Sequence, residues 1–212
     1  MEISENYIIS LSLLSLQKVE TMSASPKTLN PAPLGLAAFA MTTTVLCLFT
    51  VGAIPSSWVS IVIPLAIAYG GLMQVIVGLW EAKLGNTFGF VAFSSYGAFW
   101  IYYALVAILS SVGMITVSPT AAGVVLIMWG FLTLYLWIAS LKAPKVTCMV
   151  FLFLALTFFV LGIGDITGIG MVSKAGGALG LITAALAWYN SLAIVINDMH
   201  GRTAAPLGKP LM

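Results

Sequence analysis

Between Thr28 and Trp80 the chain carries no Asp, Glu, Lys or Arg, and the same holds from Leu84 to Leu141 and from Val146 to Gly164. Nothing else in the sequence restricts the fold so strongly. Tracts of this length without charge cannot form a water-facing surface, and a helix needs about 20 apolar residues to cross about 30 Å of hydrocarbon. The first tract has room for two spans, divided near Gly52-Ala53-Ile54-Pro55-Ser56-Ser57. The second also holds two, divided near Ser110–Pro119, and the third holds one. A last span follows Gly162–Gly170, a glycine-rich stretch that reads as a loop carrying Asp165 toward Lys174. The expected fold is an all-α membrane protein of six transmembrane helices, over roughly 33–51, 58–80, 88–110, 121–141, 146–163 and 175–196. Continuous apolar runs of this kind exclude a membrane β-barrel, whose strands alternate over about ten residues.

Composition agrees. The chain is 61% hydrophobic and 7% charged, where a soluble domain carries about 25% charged residues. A net charge of +2, scattered along the chain, excludes a nucleic-acid surface. Residues 1–29 read as a flexible or surface-lying leader: the short apolar patch Ile8–Leu16 follows Glu2 and Glu5 rather than the basic residues of a signal peptide. Residues 30–198 form the membrane domain, and 199–212 a short tail.

Six spans place both ends of the domain on one side. Lys18, Lys27, Lys83, Lys142, Lys145, Arg202 and Lys209 then share that side, and Lys174 falls opposite. Positive charge concentrates in cytoplasmic segments, so both termini are expected in the cytoplasm and the protein in the plasma or inner membrane.

The residue inventory argues against catalysis. His200, beside Arg202 and Asp198, lies past the last span and suits a solvated helix end. There is no intramembrane Asp pair, no Ser/His arrangement, and no cluster with metal-ligand spacing; Cys47 and Cys148 read as small core residues. No cofactor is implied. Nor does any ionisable residue stand mid-membrane, as ion-driven carriers usually require. Glu81 closes the second span, where it can pair with Lys83 or Lys142 at a cytoplasmic mouth or simply anchor the interface.

What remains for a solute to meet is neutral: Thr42, Thr43 and Thr44, Gln74, Ser94, Ser95 and Tyr96, then Thr133, Thr157, Thr183, Tyr189 and Asn190. A buried glutamine amide needs partners for donors and acceptor alike, so Gln74 faces another helix or a wet path. The threonines can bond back to the preceding turn. Tyr96 has Ser94, Ser95 and Gly97 as small neighbours, which leaves its ring room. Gly176, Gly180 and Ala184 share one helix face, a pattern for close packing within or between subunits. The first span opens with Asn30-Pro31-Ala32-Pro33-Leu34-Gly35-Leu36. Asn30 is suited to cap, and the prolines remove backbone donors that a helix start leaves unpaired. The same deletion argues against an anion site there, leaving Asn30 as a mouth residue.

These motifs carry a specific resemblance. The NPAPLGL stretch is followed by Phe39 and Met41-Thr42-Thr43, then Tyr69-Gly70-Gly71 with Gln74, Gly78 and Glu81. Gly85-Asn86-Thr87-Phe88-Gly89 comes next, then Ser95-Tyr96-Gly97 with Phe99-Trp100, Trp129-Gly130 with Thr133, and Pro206-Leu207-Gly208. In that order they resemble the acetate uptake transporter family, which includes bacterial succinate–acetate permeases and fungal ammonia-transport-outward proteins. The resemblance implies six-helix subunits in a cyclic hexamer, each with its own path for acetate and sometimes succinate, by proton symport or as a channel. It implies a hydrophobic constriction that falls here on Phe39, Tyr96 and Leu154, and a small residue governing substrate size that falls on Ala187. Thr42 and Gln74 are the polar candidates along the path. A channel for a neutral solute such as ammonia or urea, and a membrane scaffold or sensor without transport, are the other readings this composition allows.

Overall fold

A computed structural model describes Ser10 and residues 28–212; the leader expected over 1–29 otherwise lies outside the described residues. The chain separates into two compact units, 1–30 and Pro31–Met212. Within the second unit, six helices are long and apolar enough to cross a membrane: α1 (Ala32–Val51), α2 (Ser56–Lys83), α3 (Thr87–Ser111), α4 (Pro119–Lys142), α5 (Lys145–Thr167) and α6 (Gly170–His200). The first four boundaries follow the expected punctuation. Gly52 takes a left-handed φ of 80° that only glycine adopts freely, and it closes α1 with bonds to the carbonyls of Leu48 and Phe49. Asn86 caps α3 by accepting from Gly89 N–H at 3.1 Å, and Ser118 caps α4 by accepting from Ala121 N–H at 3.1 Å. At the start of α1 the cap position falls on Pro31, one residue after the expected Asn30, and Pro33 sits in the first turn.

Between α5 and α6 the structure corrects the sequence reading. Residues 162–170 do not form a loop: α5 runs on to Thr167 and α6 starts at Gly170. Asp165 and Lys174 therefore stand on helices. Gly162 and Gly164 are contact points rather than breakers, and it is Gly168, with a left-handed φ of 69°, that ends α5. A Cβ on Gly162 would lie 2.8 Å from the carbonyl oxygen of Gly123 in α4, and one on Gly123 would lie 2.6 Å from that of Gly162. A helix pair that close has no room for any side chain at either position. In lipid, where apolar side chains gain nothing by leaving the solvent, such backbone approach is what holds helices together.

The same device operates around the bundle. Gly176 packs on Leu161 of α5 and Gly180 on Cys47 of α1, so the small-residue face of α6 is used inside the subunit. Contacts are extensive along α4–α5–α6–α1–α2–α3, and sparse where α3 meets α4. That seam is bridged by a side-chain bond, Tyr96 Oη–H to Thr133 Oγ1 at 3.0 Å. The tail continues as a strap on the face where α1 begins. Val146 N–H donates to Leu207 O at 3.0 Å and Leu211 N–H to Leu141 O at 3.1 Å, while Tyr189 Oη–H donates to Pro206 O at 2.8 Å.

One irregularity has no signature in the apolar pattern. Within α2, Ala66–Met73 is wound as a π-helix before the α-helix resumes at Gln74. The wider turn shifts the register of everything after it. It brings Gly70 against Thr42 and Trp100, and Gly71 against Ile101. It also turns Gln74 toward the interior, where it is only 1% exposed.

Candidate functional site

Two chambers lie inside the bundle. The proximal one, on the face where α1 begins, measures about 190 Å³ and draws its wall from α1, α2, α3, α5 and α6. The distal one measures about 310 Å³ and is walled by α1, α3, α4, α5 and α6. Phe39 and Leu154 belong to both walls, and so stand where the chambers approach each other. Tyr96 lines the proximal side of the same place. Its ring centre is 5.9 Å from that of Phe39 and 6.3 Å from that of Phe151. On the far side Phe99 packs edge-on against Trp129 at 5.2 Å and Phe158 at 5.3 Å. The bond from Tyr96 to Thr133 fixes the ring and uses its hydroxyl donor. Thr133 is itself anchored, donating to Trp129 O at 2.7 Å.

Both chambers are apolar with a few polar groups, the usual make-up of a small-molecule site. In the proximal chamber these are Gln74, Asn190, Thr147, Asn86 and Glu81. Gln74 Oε1 and Asn190 Oδ1 are buried without a partner, in side chains each 1% exposed. An unpaired buried polar atom costs about 1–3 kcal/mol, so these two are poised to bond something that enters. The other end of the Asn190 amide is held, its Nδ2 donating to Thr147 Oγ1 at 3.0 Å. Glu81 is 3% exposed and accepts from Asn86 Nδ2 at 2.9 Å. Its proposed lysine partners are exposed. The Gly85–Gly89 motif thus wraps the carboxylate: Gly85 turns with φ 74°, Asn86 bonds it, and Gly89 leaves space for its Cγ and Cδ. The distal chamber holds Thr43, whose Oγ1 also lacks a partner, with Thr50, Thr157, Ser173 and Asp165.

Not every candidate meets there. Thr42 is fully buried but lines neither chamber; its hydroxyl donates to Ala38 O at 2.9 Å and it faces the Gly70 backbone. Its neighbour Thr43, about 100° further around the helix, takes the position facing the cavity. Ala187 is fully buried in the apolar core and lies outside both linings. Asn30 is exposed and belongs to the first unit. Phe151 and Asp165 line the chambers without having been singled out from the sequence, whereas Thr43 and Asn190 stood among its neutral polar groups. For Asn190 a signal existed, since it is a full amide in an otherwise apolar span.

The family model described as GPR1/FUN34/yaaH matches residues 15–206. The chain belongs to the GPR1/FUN34/yaaH family. The match begins inside the segment read as a leader. Among relatives, the succinate-acetate/proton symporter SatP of Escherichia coli is 40% identical over 185 residues, covering 86% of this chain and 97% of that protein. Acetate permease A of Emericella nidulans is 42% identical over 194 residues, covering 84% of this chain and 65% of the permease. The solved structure of the bacterial acetate channel SatP aligns with a TM-score of 0.83 at 39% identity, covering 86% of this chain and 100% of that one. The resemblance read from the motifs is confirmed, and so is the six-helix membrane fold. The family member described here is a multi-pass membrane protein whose relatives transport small carboxylates.

Proposed function

We propose that the chain is a permease for acetate and related small carboxylates, acting as a transporter and not as an enzyme, and assembling as a cyclic hexamer with both termini in the cytoplasm. The observation that carries this is the shared wall: Phe39 and Leu154 separate two apolar chambers that each contain buried polar atoms without partners. Phe39, Tyr96 and Leu154 act as the constriction. Gln74, with Asn190 and Thr43, offers hydrogen bonds on either side of it, and Glu81 guards the proximal mouth. Ala187 and Thr42 act indirectly, by setting how closely α6 and α2 pack behind the lining. The division into a membrane domain over 30–198 and a tail over 199–212 belongs to the same reading. So does the cytoplasmic orientation, which places the exposed Lys83, Lys142 and Lys145 on the cytoplasmic face.

Burying a bare carboxylate is expensive. Two hydrophobic chambers with a few amides and hydroxyls suit a small acid that needs one or two hydrogen bonds at a time, and do not suit a large charged metabolite. Uptake of labelled acetate into proteoliposomes tests the proposal. Saturable uptake that propionate competes for, and that urea and methylammonium leave untouched, is the expected result. Competition by methylammonium but not by propionate would transfer the path to a neutral nitrogenous solute.

A further inference from the structure

The start of α5 is capped from a distant part of the chain. A helix start leaves its first N–H groups without partners, and Pro144, which precedes α5, offers no side-chain acceptor. The tail supplies the acceptors instead. Val146 N–H donates to Leu207 O at 3.0 Å and Lys145 N–H to Gly208 O at 3.5 Å. Further along the tail, the N–H groups of Leu211 and Met212 both donate to Leu141 O in the last turn of α4, at 3.1 and 3.2 Å. The tail is tied to α6 as well. Asn197 Nδ2 donates to Ala205 O, and its Oδ1 accepts from the N–H groups of Ala204 and Ala205, each at 2.8 Å. Tyr189 Oη–H donates to Pro206 O. Where the strap crosses α5, Gly208 has a left-handed φ of 77°, and a Cβ there would lie 2.8 Å from that of Lys145. Conformation and space both call for glycine at this crossing.

Two residues of the proximal chamber stand next to these anchor points. Thr147 follows Val146 on α5, and Asn190 follows Tyr189 on α6; both line the chamber. Asn190 Nδ2 donates to Thr147 Oγ1 at 3.0 Å. That bond decides which end of the amide is presented. With Nδ2 engaged, Oδ1 is left without a partner in a side chain only 1% exposed. It is an acceptor for an O–H brought by the solute or by a water bound to it. The bond runs from α6 to the first turn of α5, so it depends on the place of that turn, and the strap is what caps the turn.

We infer that the Pro206-Leu207-Gly208 strap is a positioning device for the proximal chamber: it caps α5 and so places Thr147, and Thr147 aims the Asn190 amide at the solute. The inference rests on the carboxylate-permease reading and deepens it. Asn190 is the group that meets the solute. Thr147 and the strap act through it.

The test is acetate uptake by full-length protein in proteoliposomes, read as apparent KM and maximal rate, with unfolding temperature and size exclusion to confirm that each variant is folded. Thr147→Val is similar in size and lacks the hydroxyl, which frees the amide to turn. Its apparent KM is expected to rise about fivefold, the equivalent of one ordinary hydrogen bond, with the maximal rate unchanged. Thr147→Ser keeps the acceptor and is expected to keep the starting KM. Gly208→Ala displaces the strap, and is expected to raise KM by a similar factor in the unmodified protein and not at all in the Thr147→Val background, the non-additivity of groups that act in series. Should Gly208→Ala fail to fold, Tyr189→Phe, which removes one strap bond from a ring at the surface, takes its place in the same cycle. A folded Thr147→Val or strap variant with the starting KM, a KM rise that Thr147→Ser shares, or strap and Thr147 effects that multiply overturns the inference alone. Absence of any saturable uptake by the unmodified protein overturns the permease reading, and this inference with it.

Discussion

Phe39 offers the sharpest perturbation, because its ring belongs to the walls of both chambers. Phe39→Ala joins a chamber of about 190 Å³ to one of about 310 Å³. Phe-to-Ala truncation in a closed core costs about 3–5 kcal/mol. The ring contact with Tyr96, at 5.9 Å between centres, contributes about 0.5–1.5 kcal/mol of such a loss. The chambers already flank this ring, so little new void forms, and the loss is expected near the low end of that range. The effect on selectivity is separate. A tight pocket discriminates one methylene by about 1–3 kcal/mol, or about 10–200-fold. If this ring sets the size limit, its removal returns most of that, and the ratio of propionate to acetate uptake should rise about tenfold or more. The assay is dual-label uptake in proteoliposomes, with thermal unfolding in detergent to confirm folding. Tyr96→Phe keeps the ring and should leave the ratio unchanged. A folded Phe39→Ala protein whose propionate-to-acetate ratio stays at the starting value would refute the placement of the size limit.

Gln74→Leu replaces a buried amide whose oxygen has no partner, so its melting temperature should hold or rise while acetate uptake falls about tenfold, as expected for about 1.4 kcal/mol of lost hydrogen bonding; a fall in both would make Gln74 structural. Ala187→Phe inserts a ring where no surface is exposed, and overpacking of about 1–3 kcal/mol should lower the unfolding temperature before it alters substrate range. Gly123→Val drives a Cβ to within 2.6 Å of the Gly162 carbonyl and should abolish the folded protein, seen as loss of the monodisperse peak on size exclusion. External acidification should speed uptake, since it raises the fraction of protonated acid; a rate independent of pH at fixed total acetate would contradict this.

The spans were legible because charge-free tracts have one outlet in a folded chain, and because Gly52, Pro55, Asn86 and Pro119 punctuate them with ordinary helix chemistry. The α5–α6 connection was not, because Gly162 and Gly164 look like loop residues to rules learned in water. In lipid a glycine is as often a place where another backbone arrives, and only the partner helix reveals which. Within the site, Phe39 and Tyr96 were readable from motifs. Thr43 was not separable from Thr42, since a helix apolar on every side gives no face to count from. Glu81 looked like an interface anchor because its partner, Asn86, reaches it across a turn. Asp165 was hidden by the misplaced loop. The π-helical segment that sets the direction of Gln74 leaves no trace in hydropathy at all.

On the proposed path, substrate passes between the two chambers at Phe39 and Leu154. Leu154→Cys, in a background with Cys47→Ala and Cys148→Ala to remove the buried native thiols, tests it directly. Treatment with a small thiosulfonate reagent should abolish labelled-acetate uptake by the reconstituted protein, and excess acetate should slow the modification. Complete modification of that cysteine with uptake undiminished would place the path elsewhere.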